Sequence, residues 1–254
     1  MTLCVLLFLG GLGASSQEDA LAPKVQNALR EAERASALLA DTPEHAAAAQ
    51  SAALWALDAA ITYLGDPQAD PEQWAAVEQA LRAAGRAVGP MRAVKGVLHV
   101  AQANQVLCAT ACARMVLRYH GIAVTEEDIL KLLDGSAPVV GVHVSRMRDI
   151  ATHYGLSALI GEGSPDLIRC ALALGYPVLV YQYAAPGNDV PHMRVVVGFD
   201  DTAQVYHTLD PAPDLGPNNV IPYPEFEALW RLPWREDDRS RWMCVFYRKP
   251  EATP

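Results

Sequence analysis

Apolar residues in the first third of the chain recur at helical spacing in three separate runs. Within residues 18–89, apolar side chains return every three or four positions, which places them on one face of a helix. Thr42 and Asp70 open the second and third runs, and each is followed by a proline at the first helical position. Gly65 and Gly89 end these two runs. The pattern predicts three amphipathic helices packed as a small bundle.

A fourth helix is predicted to begin at about Cys108, after an extended polar approach. Four residues lie at steps of four, three and four and therefore share one helical face: Cys108, Cys112, Met115 and Tyr119. Gly121 ends the pattern as a C-cap would. Cys108 thus falls in the first helical turn, where unpaired N–H groups and the helix dipole favour an anion such as a thiolate. This position makes Cys108 a candidate nucleophile. Gln102, six residues earlier, can donate an N–H to an oxyanion beside the thiol.

The rest of the chain contains short helices followed by runs typical of strands. Helices are predicted from Thr125 to a stop at Gly135, over residues 145–154, and from Ser164 to Gly175. Strands are predicted at 156–160, 177–183, 192–199, 204–209 and 242–247, with a short helix at 224–231. Helices first and strands second, with tight turns between strands, indicate an α+β domain with an antiparallel sheet. We therefore expect an α-helical N-terminal domain at residues 17–90 and a second domain at 91–254.

The net charge of −9 argues against nucleic acid or an anionic membrane surface as a partner. Residues 3–14 form an apolar run that is too short to span a bilayer and about right for a signal-peptide core. Small residues follow it at 14–16, although no Lys or Arg precedes it. We expect a signal peptide at residues 1–16 and a secreted or periplasmic protein, or a cytoplasmic one if the run is not a signal. No other stretch reaches eighteen apolar residues, so no integral membrane domain is expected.

Metal and disulfide chemistry have little support in the cysteine spacing. Four cysteines follow Cys4, and they are too few and too scattered for a disulfide framework. Cys108 and Cys112 with His120 form a conceivable metal set, but this spacing is not a standard zinc pattern. We therefore expect neither a metal nor an organic cofactor.

A cysteine nucleophile needs a base, and the base needs an orienting group. Of the seven histidines, His192 is predicted to begin a strand directly after a loop rich in Pro, Gly, Asn and Asp. Asp210 ends the next predicted strand. If these strands pair as a hairpin around residues 200–203, the start of one lies beside the end of the other, which places Asp210 next to His192. His207 is a competing base, because the sequence does not settle which face of its strand it occupies.

The joint pattern resembles a known family, the C39-like cysteine peptidases, which are papain-like enzymes. The residues that carry the resemblance, in the family's order, are Gln102, Cys108, Met115, Tyr119 and Gly121, the histidine motif at 192–201, the acidic motif at 209–211, and Phe226 and Trp230 in a closing helix. The similarity covers roughly residues 98–234. It implies Cys108 as nucleophile, His192 as base, Asp210 as orienting group and Gln102 in the oxyanion hole of an enzyme that cleaves a peptide or protein substrate.

This chain departs from the family in several respects. The family usually has Gly after the cysteine, where this chain has Ala109. Members that process leader peptides lie inside ABC transporters, but this sequence has no P-loop and no transmembrane helix. The resemblance therefore implies a stand-alone form, whose helical bundle has no counterpart in the family core and is a candidate docking site for a protein partner. A thioester-forming acyltransferase or amidase, and a catalytically inactive peptide-binding module, stay open as alternatives.

Overall fold

The computed structural model describes residues 18–66, 69–133, 142–233 and 240–248. The predicted signal peptide and the predicted helix stop at Gly135 lie outside these residues. In the described part of the chain eight α-helices occur: α1 (Glu18–Ser36), α2 (Pro43–Gly65), α3 (Pro71–Ala87), α4 (Cys108–Tyr119), α5 (Glu126–Leu132), α6 (Met147–His153), α7 (Pro165–Ala173) and α8 (Tyr223–Leu229). The three-helix bundle is therefore confirmed, and so is the helix that starts at Cys108.

The capping residues that the sequence indicated act as caps. The Thr42 side chain accepts a hydrogen bond from the His45 N–H at the start of α2, and Asp70 accepts one from Glu72 at the start of α3. Thr125 forms a full capping box at the start of α5. Gly121 has a φ of +79° after α4, a backbone conformation that favours glycine and ends a helix. These local signals fix the helix boundaries.

The strands form one antiparallel sheet. The described residues contain seven strands: β1 (Met91–Ala93), β2 (Ser157–Glu162), β3 (Val178–Ala185), β4 (Asn188–Asp200), β5 (Val205–Leu209), β6 (Asn219–Pro222) and β7 (Trp242–Tyr247). Their order in the sheet is β2-β7-β3-β4-β5-β6, and β1 pairs with the end of β4. Helices precede most strands along the chain, as the α+β prediction required.

Each face of the sheet buries a different set of helices. Alternating residues of one strand point to opposite faces, so Val178 and Val180 of β3 belong to one core and Leu179 to the other. The first core, called the bundle-side core, contains α1, α2, α3, α7 and α8. The second, called the α4-side core, contains α4, α5 and α6. The sheet therefore lies between two helical layers.

The sequence misplaced some strand boundaries. β4 begins at Asn188 and not at His192, because the β3–β4 ladder continues to the Ala185–Asn188 pair around a tight turn at Gly187 (φ +73°). His192 therefore lies inside a long strand and does not begin it. The sequence analysis also missed β6, a four-residue edge strand beside β5. Its two apolar residues, Val220 and Ile221, are adjacent and do not alternate, and a proline follows them, so the segment lacks the alternation that marks a strand.

Candidate active site

Cys108 is the first residue of α4. The preceding residue, Leu107, is the N-cap, and its side chain provides no capping hydrogen bond. The first N–H groups of a helix have no partners within the helix, so this end carries donors and a partial positive charge. Cys108 is partly exposed and is a free thiol. Its position can thus stabilise a negative charge on the sulfur or on an atom bound to it.

Helix α4 is fixed on the sheet by the face that the sequence identified. Cys112 and Met115 are fully buried in the α4-side core, and the Cys112 thiol donates to the main-chain carbonyl of Met193 on β4 at 3.3 Å. Tyr119 donates to the Gly175 carbonyl at 2.6 Å. Ala109, the residue after Cys108, is only 3% exposed, so its methyl group is part of this core. The first turn of α4 is therefore held against β4, near His192.

His192 and Asp210 come together through the β4–β5 pairing. The two strands are antiparallel, with Val195 opposite Leu209, so the residue that follows β5 lies beside the first half of β4. His192 Nε2 donates to Asp210 Oδ1 at 2.8 Å, and both side chains are buried. The Cys108 side chain lies within interaction range of the same imidazole. The structure therefore brings three of the four predicted site residues together. It places His192, and not His207, against Asp210.

His192 and Asp210 each stabilise the charged form of the other. Burial by itself would lower the pKa of His192, but its hydrogen bonds with Asp210 and Cys108, together with their negative charges, outweigh burial and raise the pKa. Burial would raise the pKa of Asp210, yet the hydrogen bond from His192 and the positive charges of His192 and Arg194 bring the net pKa below its ordinary value. The pair therefore favours an imidazolium beside a carboxylate.

Main-chain contacts fix the turn that carries Asp210. The Asp210 N–H donates to the Gly216 carbonyl at 3.1 Å, and the Ala212 N–H donates to Asp210 Oδ1 at 2.8 Å. His99 Nε2 donates to the Asp210 main-chain carbonyl at 2.7 Å. The sequence pattern gave no role to His99. It instead connects the segment before α4 to the turn after β5.

Gln102 is held by the same turn. Its N–H donates to the Pro211 carbonyl at 2.8 Å, which places the residue next to the Asp210 turn. Its side-chain oxygen is buried and accepts no hydrogen bond from the described residues. A buried amide oxygen without a protein partner is unusual in a folded chain. The capacity that the described residues leave unused is therefore that of the acceptor oxygen.

Arg194 is the site residue that sequence reasoning missed. It lies two residues after His192 on β4, is 2% exposed, and donates from Nε to Asp210 Oδ2 at 2.6 Å. A signal was present, since Arg194 is a lone charged residue within the apolar run of a predicted strand. A charge at such a position is buried only when a partner compensates it.

Metal binding has no geometric support in the part of the chain that is described. Within it, no group of three or more His, Cys, Asp or Glu side chains could hold a metal ion. Cys112 instead lies in the α4-side core, and His120 hydrogen-bonds with the Phe246 carbonyl at 3.0 Å. As for membrane insertion, the helices within the described residues are each too short or too polar to span a bilayer.

Comparisons with known proteins give the chain its family. No curated protein matches the sequence. Among solved structures, the peptidase domain of Streptococcus ComA, a bi-functional ABC transporter involved in a quorum-sensing pathway, aligns with a TM-score of 0.47 and 14% identity, over 61% of this chain and 100% of its own. Residues 94–236 match the family described as Peptidase_C39 like. Because this match covers more than half of the chain, the protein belongs to the Peptidase_C39 like family and has the papain-like α+β fold that the sequence predicted.

Proposed function

We propose that this protein is a cysteine peptidase whose nucleophile is Cys108. One observation carries the proposal: the buried imidazole of His192 donates to Asp210 and interacts with the side chain of Cys108, the first residue of a helix. A thiol becomes reactive when a base and an oriented positive field favour its thiolate. Membership of a peptidase family supports the same class of reaction.

The first half of the reaction forms a thioester. The Cys108 thiolate attacks the carbonyl carbon of the scissile amide, and the carbonyl oxygen becomes an oxyanion. The side-chain amide of Gln102 and the Cys108 N–H stabilise that oxyanion. The imidazolium of His192 then donates its proton to the leaving amine as the C–N bond breaks. Asp210 keeps the ring oriented and stabilises its positive charge.

The second half releases the acid. His192, now neutral, takes a proton from water, and the resulting nucleophile attacks the thioester carbonyl. A second oxyanion forms in the same place, and its collapse breaks the C–S bond. The Cys108 thiolate and the imidazolium of His192 are restored, so the cycle needs no metal, oxidant or organic cofactor.

The proposal is tested by labelling and turnover with the same protein preparation. We expect a thiol-directed epoxide to modify Cys108 at pH 6, and we expect cleavage within a mixture of unlabelled peptides, both measured by mass spectrometry. Transfer of the acyl group to an added amine in preference to water would identify an acyltransferase instead. If Cys108 reacts no faster than a free cysteine and no peptide is cleaved, the protein is a binding module and the proposal is wrong.

We further infer that the protein is exported after cleavage near residues 14–16. The support is the apolar run at 3–14 followed by small residues. Mass spectrometry of the protein from its native host should find a mature N-terminus at residues 15–18. An intact N-terminus in a cytoplasmic fraction would contradict this inference.

A further inference from the structure

Arg194 donates four hydrogen bonds in a rigid environment beside Asp210. Its Nη1 donates to the Gln182 side-chain oxygen at 3.2 Å and to the Tyr183 carbonyl at 3.1 Å. Its Nη2 hydrogen-bonds with the Ala184 carbonyl. These partners lie near the end of β3, where the β3–β4 register shifts between Tyr183 and Ala185. Because the guanidinium is planar and each of its three nitrogens donates a hydrogen bond, it cannot rotate without breaking several contacts.

The two oxygens of the Asp210 carboxylate have separate partners. Oδ1 accepts from His192 Nε2 at 2.8 Å and from the Ala212 N–H at 2.8 Å. Oδ2 accepts from Arg194 Nε at 2.6 Å, and no other side chain of the described residues is bonded to it. Asp210 is fully buried, so water does not replace a missing donor without movement of the chain. Without Arg194, Oδ2 would be a buried anionic oxygen with no donor, and the carboxyl group would turn away or take a proton.

We propose that Arg194 is a positioning residue that keeps Asp210 ionised and directs Oδ1 at His192. This inference rests on the proposed function, since it gives Arg194 a role only if His192 and Asp210 activate Cys108. The side-chain hydrogen bonds of Arg194 go to Asp210 and to residues of β3, so the proposed positioning effect reaches Cys108 through Asp210. It therefore couples the end of the β3–β4 hairpin to the electrostatics of the candidate nucleophile.

Arg194 also has an effect that opposes positioning, so the direction in which Cys108 reactivity changes when Arg194 is replaced is informative. Arg194 and His192 are both cations on one carboxylate, so their direct repulsion disfavours the imidazolium. Other titratable groups near Asp210 or Cys108 are the buried thiol of Cys112, the His99 ring on the Asp210 main-chain carbonyl, and Tyr181 beside Cys108. If positioning dominates, loss of Arg194 reduces the thiolate fraction of Cys108 at acid pH. If repulsion dominates, the loss of Arg194 increases it.

The test is the pH profile of Cys108 alkylation by iodoacetamide in the full chain, followed by peptide mapping. Arg194→Met should slow alkylation at pH 6 about tenfold, which corresponds to one pKa unit. At pH 9, where any thiol ionises, the rate should change less than about twofold. Arg194→Gln keeps a neutral donor, so it should also slow alkylation at pH 6, but by a smaller factor. It replaces Arg194→Met in the test if Arg194→Met does not fold.

Arg169→Met is the matched control, because Arg169 also forms a partly buried pair with an aspartate, Asp201, which directly follows β4 at the end of the strand opposite His192. It should lose stability and keep the wild-type alkylation profile. In an Asp210→Asn background, Arg194→Met should have no further effect at pH 6. An unchanged or faster reaction of folded Arg194 variants at pH 6 would overturn the positioning role. A wild-type profile like that of a free thiol would instead overturn the proposed function.

Discussion

Cys108 and Cys112 lie one helical turn apart and have opposite environments. Cys108 is partly exposed at the helix start beside His192. Cys112 is fully buried, and burial, followed by the negative charges of Cys108 and Asp210, raises its pKa well above the ordinary value. The buried thiol therefore stays protonated and inert. The residue type alone does not separate the two, but the position on the helix does.

We predict that Cys108→Ala abolishes labelling and turnover and leaves the protein folded. Cys112→Ala should keep both at neutral pH, at a stability cost of about 1 kcal/mol for the lost core volume. Peptide mapping after labelling at pH 6, together with thermal unfolding, measures both effects. If a folded Cys112→Ala protein is inactive while Cys108→Ala is active, Cys108 is not the nucleophile.

The ion pair of His192 with Asp210 should stabilise the fold within a defined pH window. The lowered pKa of Asp210 gives stability that is present above the unfolded value of 3.8 and is lost as the pH falls through the folded pKa. The raised pKa of His192 gives stability that is present below the unfolded value of 6.5 and is lost as the pH rises through the folded pKa. The two contributions coexist fully between pH 3.8 and 6.5.

A double-mutant cycle with His192→Ala and Asp210→Asn measures this coupling by urea unfolding. We expect a coupling free energy of roughly 0.5–3 kcal/mol at pH 5 and a smaller value at pH 9. A coupling that is independent of pH would show that the pair is a neutral hydrogen bond.

The sequence predicted single residues best where strand pairing decided the geometry. His192 and Asp210 follow from one hairpin, although His192 was wrongly placed at a strand start. Arg194 could not be predicted as a partner of Asp210, because alternation shows which face a residue occupies but not which charge lies opposite. The approach of Gln102 to Pro211 depends on the path of residues 94–107, which have no regular structure apart from a short turn.

At the scale of elements, β4 organises the site because it pairs with β3 in its first part and with β1 and β5 in its last. Gly198 lies in the part of β4 that pairs with β1 on one edge and with β5 on the other. A Cβ on this residue would lie 2.7 Å from the Arg92 carbonyl oxygen and 3.3 Å from the Ala93 Cα. Both are backbone atoms of β1, which cannot move without disturbing the ladder.

We predict that Gly198→Ala destabilises the protein by about 1–3 kcal/mol through this overlap. Gly65→Ala is the control, since nothing lies within 4 Å of the position where its Cβ would be. Chemical unfolding should show a lower midpoint for Gly198→Ala only. Equal midpoints would mean that β1 is free to shift away from β4.

At the scale of the whole molecule, the helical bundle is part of the core that supports the sheet. The bundle-side core runs without interruption from Leu57 and Leu81 in the bundle to Val178 and Val245 in the sheet. The Cys170 thiol of α7 lies 3.7 Å from the Leu81 carbonyl of α3. The sequence showed that each bundle helix has an apolar face. The sequence could not show that part of these apolar faces packs on α7 and the sheet, because an apolar helix face indicates burial but not the element that covers it.

This packing gives a prediction about the proposed boundary near residue 90. A chain of residues 91–254 should expose α7 and one face of the sheet. It should therefore aggregate, and its unfolding should not be cooperative. A chain of residues 17–254 is the control and should behave like the full-length protein. Calorimetry and near-ultraviolet circular dichroism of the two chains measure the difference. If residues 91–254 instead melt cooperatively and keep rapid labelling of Cys108, the bundle is an independent domain, and a separate role such as docking of a protein partner becomes its best explanation.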